Sequence, residues 1–268
     1  MRVIVGLGLL LGFAASDEPS EFASKLKQGL AASDCETRWS AVTEYSNYVR
    51  DEATDPLAAL RRVASSSVGQ LRPKLLMLVE YTQQTKAAHG RASQLSNEVS
   101  AAASARDPKA RHDRLIRMRE RVESAIRAPK EDFVSRITIA SLMARAARTT
   151  AGRAAGWDAA LDRLLSDSDP RVRRVGAFLA ANRTLLKTQE PDFSSVVPAL
   201  IDGLLAPSFA ERFYSQGGLI AATASSSPQL CVDPTDPPDA IRTTHVRWKA
   251  WWANNAPQLG PQKISQLY

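Results

Sequence analysis

The chain has 268 residues, with 35 Lys/Arg against 28 Asp/Glu for a formal net charge of +7. That length is enough to bury a sizeable core in one elongated domain. Alanine and leucine are frequent and glycine is sparse. No segment alternates apolar and polar residues long enough to propose a sheet.

Residues 1–16 stand apart from the rest. Met1-Arg2 supplies a positive start, Val3 to Phe13 is a short apolar run, and Ala14-Ala15-Ser16 offers small residues for cleavage ahead of Asp17. This layout predicts a cleavable signal peptide and an exported chain, periplasmic or secreted. The apolar run is too short to span a bilayer as a helix. No later segment reaches spanning length, and no cysteine follows the run to carry a lipid anchor.

Residues 17–35 read as a lead-in. Glu36 to Val49 carries Trp39, Val42, Tyr45 and Val49 at helical spacing, and Leu71 to Tyr81 carries Leu71, Leu75, Leu78 and Val79. The stretch from His89 to Asp107 is Ala/Ser-rich, with Leu95 and Val99 its large apolar residues, and is read as a loop. Lys109 to Arg127 is a charged helix with Leu115, Met118, Val122 and Ile126 inward. Pro129 to Val134 opens another helix, which Ile137 and Met143 continue.

Trp157 to Leu186 is the best-formed unit. Trp157, Ala160, Leu161, Leu164 and Leu165 make one apolar stripe; Val172, Val175, Phe178, Leu179 and Leu186 make a second across the turn Ser166–Pro170. Asp169 is placed as an N-cap and Pro170 at N1, where its missing N–H costs nothing. Arg171, Arg173 and Arg174 are expected to point away from the apolar face. Neither helix can bury its stripe alone, so each needs neighbours.

This unit resembles the HEAT-repeat family. Asp169-Pro170-Arg171-Val172-Arg173, with Ala177 and Leu179, is close to the family's D-x-x-P-x-V-R-x-x-A-x-x-x-L pattern. The match covers about thirty residues and is looser elsewhere. Pro129 to Pro170 is 41 residues and Pro170 to Pro207 is 37, near the period of such units, whereas Pro73 to Pro129 is 56, too long for one. The resemblance implies an all-α, right-handed solenoid of antiparallel helix pairs, about four to five repeats over residues 36–224, interrupted near 89–107.

Ser225 to Pro238 is proline-rich and reads as a linker. Asp239 to Asn255 is a final helix with Ile241, His245, Trp248, Trp251 and Trp252 near one face, followed by a tail from 256 to 268. Trp248, Trp251 and Trp252 are expected to cover the open end of the stack, as terminal repeats must; a ligand platform is the alternative. Exported bacterial HEAT-repeat proteins carry a similar R-W-x-x-W-W-x-x-N helix, matched here from Arg247 to Asn255, and the resemblance points to a bacterial source.

Charge is uneven. Residues 106–187 hold 19 Lys/Arg against 10 Asp/Glu, so the remainder is slightly acidic. Arg111, Arg114, Arg117 and Arg121 cluster on one helix, and Arg171, Arg173 and Arg174 follow two repeats on. Aligned, they would form a basic stripe suited to nucleic acid, acidic glycan, anionic lipid or an acidic protein. Carboxylates at helical spacing, such as Asp113, Glu120 and Glu123, offer the plainer reading of a solvated surface.

Catalytic patterns are missing. His89, His112 and His245 lack metal-ligand spacing, and there is no nucleophile elbow, phosphate loop or dinucleotide fingerprint. Cys35 and Cys231 lie far apart in sequence. Because a stack keeps distant residues apart, two separate thiols are expected, with a disulfide the alternative. The combined expectation is a non-catalytic scaffold without metal or cofactor, binding another protein. A polyanion binder is the second reading. A glycosylase-like or lyase-like enzyme, suggested by DNA-binding HEAT-like glycosylases, is a distant third.

Overall fold

The computed structural model describes residues 19–50, 56–183, 193–223 and 228–256. The expected signal peptide, the tail beyond Ala256 and Leu186 lie outside them. Among the described residues the chain is all-helical, with no strand. No helix there is long and apolar enough to cross a membrane.

Twelve α-helices follow one another among the described residues: α1 Pro19–Leu30, α2 Cys35–Arg50, α3 Leu57–Ser66, α4 Leu71–Ala103, α5 Pro108–Arg127 and α6 Phe133–Ala147 come first. Then come α7 Thr150–Ala154, α8 Trp157–Leu165, α9 Pro170–Arg183, α10 Phe193–Gly203, α11 Phe209–Thr223 and α12 Pro238–Asn255. Consecutive helices pack as neighbours: α1 on α2, α3 on α4, α5 on α6, α8 on α9 and α10 on α11. A second set of contacts links α4 to α6, α6 to α9 and α9 to α11, so these four form an inner layer.

Local chemistry sets the helix starts. Asp107 accepts from Ala110 N at 2.8 Å, Asp132 from Ser135 N at 2.9 Å and Thr149 Oγ1 from Gly152 N at 2.9 Å. Asp169 accepts from Arg171 N at 2.8 Å, and Pro170 opens α9. Each cap satisfies a donor that the first helical turn would leave free.

A second device recurs at these starts. The fourth residue of α2, α5, α6, α7, α9 and α11 is an arginine: Arg38, Arg111, Arg136, Arg153, Arg173 and Arg212. Each guanidinium folds back over the preceding loop and donates to carbonyl oxygens five or six residues upstream. Arg136 and Arg212 are the extreme cases, at 0% and 1% exposed. Arg136 also reaches the carbonyls of Ile126 (2.8 Å) and Ala128 (2.9 Å). Loop carbonyls must find donors once buried, and a charged guanidinium bonds several at once.

Four expectations fail here, each for a physical reason. Residues 89–103 are not a loop: α4 runs unbroken for 33 residues. Its C-terminal half buries Ala88, Ala92, Leu95 and Ala102, small side chains that let other helices come close. Residues 17–35 are more than a lead-in, since α1 buries Ala23, Leu26 and Leu30. Described residues 228–237 are a packed strap rather than a loose linker: after one 3-10 turn at Pro228–Leu230, residues 232–235 are buried. Cys35 and Cys231 form a disulfide with Cα atoms 6.1 Å apart, across 196 residues of sequence.

The last finding follows from curvature. The inner layer bends until α11 meets α4 and α6 as well as α9. Trp39 of α2 lies 5.2 Å from Phe213 of α11, and Tyr81 of α4 lies 5.2 Å from Phe209, centroid to centroid. Phe133 and Phe178 complete the cluster around Tyr214. The hollow of the array is therefore filled by its own aromatic rings, and α1 and α11 share one core. Close approach also matters between α8 and α9, where a Cβ on Gly176 would stand 2.9 Å from the backbone of Leu164 and Leu165.

Candidate functional site

The seven arginines singled out from sequence do not form one face. Arg111 Nε donates to the Ala105 carbonyl at 2.9 Å, and Arg173 Nη1 donates to the carbonyls of Asp167 (2.6 Å) and Ser168 (2.9 Å). Both are loop clamps. Arg171 Nη2 pairs with Asp169 at 3.2 Å. Arg121 pairs with Glu98 of α4.

Arg174 departs furthest from its expected place. Instead of pointing into solvent it pairs with Glu211 between α9 and α11, and its side chain is 16% exposed. The cause is that α9 has no solvent side of the expected width. It packs against α6, α8, α10 and α11 together, burying Ala177, Ala180 and Ala181 as well as Val172, Val175 and Leu179.

Arg114 and Arg117 remain. Both are exposed on α5, and no hydrogen bond or ion pair holds either within the described residues. Arg106 and Lys109 are exposed just before them. Asp113 and Glu120 lie on the same outer surface, so the net charge there is positive but moderate.

The C-terminal aromatic residues divide in the same manner. Trp248 is fully buried and donates Nε1–H to the Leu230 carbonyl at 2.8 Å. Trp251 stands edge-on to it at 5.6 Å, and Trp251 and Trp252 are half-buried against the cluster of α9, α10 and α11. His245 is 8% exposed, 3.9 Å from Asp202. Burial and the nearby Lys249 lower its pKa from the ordinary histidine value.

A cavity of about 330 Å³ opens where α6, α9 and α11 begin beside the middle of α4. Its walls combine Tyr81, Phe133 and Phe209 with Glu80, Glu131 and Arg171. Its charges are largely spoken for. Arg91 pairs with Glu131 at 2.6 Å and Asp132 at 3.3 Å, and Arg174 pairs with Glu211. Among the described residues, no group of three or more His, Cys, Asp or Glu is arranged to hold a metal ion.

The sequence does not announce the ionic cluster around Asp233, whose carboxylate is buried. Asp233 is 2% exposed and accepts from Arg38 Nε at 2.8 Å, Lys74 Nζ at 2.7 Å and Thr235 N at 2.9 Å. Lys74 also reaches Asp236 at 2.6 Å. Burial alone would raise the Asp233 carboxyl, but the bonds from Lys74 and Thr235 outweigh it and hold the group below its ordinary value. The sequence signal was Asp-x-Thr after a cysteine, the pattern of an aspartate bonded to its own following backbone.

The class these features define is an all-helical array of paired helices, clamped at its loops and closed end to end. No protein-family model, no curated protein and no solved structure matches the chain.

Proposed function

We propose that this chain is an exported, non-catalytic α-solenoid of the HEAT type that serves as a scaffold for another protein. The pairs α3/α4, α5/α6, α8/α9 and α10/α11, with α1/α2 ahead of them, support four to five repeats, and the right-handed sense is what the HEAT resemblance implies. The Asp169-Pro170-x-Val172-Arg173 motif supports the HEAT assignment. The layout of residues 1–16 and the Cys35–Cys231 disulfide support export, since disulfides persist in oxidising compartments.

The observation that carries the scaffold reading is the arginine clamp. One local solution recurs at six helix starts and stiffens the loops of the array. With the hollow filled, the outer surface is what a partner meets. On that surface Arg114 and Arg117 are free cations with no structural duty described above.

A photo-crosslinking residue at position 117, in cells exporting the chain, tests this. A discrete protein adduct that disappears when Arg114 is changed to Glu is the expected result. No adduct at 117, or one indifferent to position 114, overturns it. The same two arginines with Arg106 and Lys109 support the second reading, binding of a polyanion. That reading expects retention on heparin that falls steeply with salt.

A further inference from the structure

The strap 228–237 is where the chain's two ends are tied, and the ties are of two kinds. The ionic one is sealed: Asp233 and Thr235 are buried, with Arg38 and Lys74 closing over the carboxylate. Arg212 Nε adds a bond to the Pro234 carbonyl at 3.0 Å and Trp248 Nε1 one to Leu230. The covalent tie is different. Cys35 and Cys231 are both half-buried, less sealed than Asp233 and Thr235, with Cys231 packed against the core.

The two sulfurs also have unequal surroundings. Cys35 is the first residue of α2, a 16-residue helix, and Arg38 lies one turn further on. The positive end of that helix favours a thiolate at Cys35, working against the adjacent Asp34 carboxylate, which already accepts from Thr37 N at 2.7 Å. Cys231 sits in non-helical chain without this help. In thiol–disulfide exchange the better thiolate is the better leaving group.

We propose that Cys35–Cys231 is a reducible clasp, opened by a dithiol, either a small molecule or a dithiol protein. A thiolate of the dithiol attacks Cys231 Sγ and forms a mixed disulfide there. The Cys35–Cys231 bond breaks, and Cys35 departs as a thiolate. The second thiol of the dithiol then displaces Cys231. The dithiol ends as a disulfide, having given two electrons and two protons, and the chain ends with two thiols. Opening leaves the strap seated by its non-covalent ties, of which Asp233 is the ionic one, so the clasp has two parts: one redox-controlled, one ionic.

The full oxidised chain tests this without denaturant. Millimolar dithiothreitol should reduce the bond, after which Cys35 reacts with iodoacetamide at neutral pH about tenfold faster than Cys231. A monothiol used as a trap should be found by mass spectrometry on Cys231. A bond that resists dithiothreitol in the folded chain, or a trap found on Cys35, overturns the proposal. For the second part, limited proteolysis within 228–237 reports seating. Cleavage of the Asp233→Asn variant should accelerate about tenfold on reduction. Wild type should change less. A reduced Asp233→Asn chain cut no faster than the oxidised one overturns the two-part clasp.

Discussion

The closing seam and the outer face of α5 are both rich in arginine, yet the residue does opposite things in them. Around the seam, Arg212 is 1% exposed and its donors are taken by the carbonyls of Ala206, Pro207 and Pro234. On α5, Arg114 and Arg117 face solvent and hold nothing. The lesson is that a local excess of basic residues is not a measure of surface charge. Within residues 106–187, Arg111, Arg119, Arg136, Arg153 and Arg173 are each spent on backbone carbonyls.

The contrast can be broken by measurement, beginning with the seam. Replacing Cys35 or Cys231 with serine in the oxidised protein should cost up to about 5 kcal/mol, the chain-entropy value for so long a loop. Urea unfolding reads it, and a loss under about 1 kcal/mol would mean that the aromatic seam alone holds the ends together. Arg212→Met should cost about 3–4 kcal/mol, because it strands three carbonyls in the interior. Arg114→Met, the matched change on α5, should cost under about 0.5 kcal/mol. Equal costs would erase the distinction between the two regions.

Next is Gly176→Ala, which forces a Cβ into the backbone of Leu164 and Leu165 and should cost about 1–3 kcal/mol. Acid sharpens the comparison further. The Asp233 pKa is depressed in the fold, so its contribution is complete above the unfolded carboxyl value of about 3.9 and disappears as pH falls through the folded value. His245 is also depressed. The stability gained by burying it neutral is present above about pH 6.5 and is lost as pH falls below that. Stability curves of Asp233→Asn and His245→Gln should each lose the matching slope; an unchanged slope would remove that group from the seam or the cap. Smallest of all, Arg114→Ala with Arg117→Ala should leave the melting temperature within about a degree. It should also move heparin elution to lower salt, and unchanged elution would count against the polyanion reading.

The helices themselves were largely legible in the sequence. Apolar spacing placed α2, α5, α8, α9 and α12 close to their observed bounds, and Asp169-Pro170 marked the turn before α9. The second half of α4 was missed because Ala88, Ala92 and Ala102 resemble filler. In a helical stack small residues mark close approach, which a scale of apolar bulk cannot register. The disulfide stands in the sequence only as the alternative to two thiols, because the curvature that brings Cys35 to Cys231 depends on packing angles that no single residue encodes. The arginine clamps had a readable signal, an Asp, Thr or Ser followed four residues later by Arg, at Asp34, Asp107, Asp132, Thr149, Asp169 and Ser208. For Arg111 and Arg173 the sequence suggests surface charge instead, because in sequence a buried guanidinium and an exposed one look alike.

The end-to-end closure also bears on how the molecule comes apart. Arrays whose units touch only their neighbours can fray from either terminus, one unit at a time. Here α2 and the 228–237 strap, joined across 196 residues, tie everything from α2 to α11 into one closed unit, with α1 and α12 alone outside the tie among the described helices. Unfolding should therefore be closer to all-or-none than repeat architecture suggests, and hydrogen exchange in α2 should slow together with exchange in α11. The same closure makes folding wait on its most distant contact. A nascent chain cannot finish its first core until its last helices have been made.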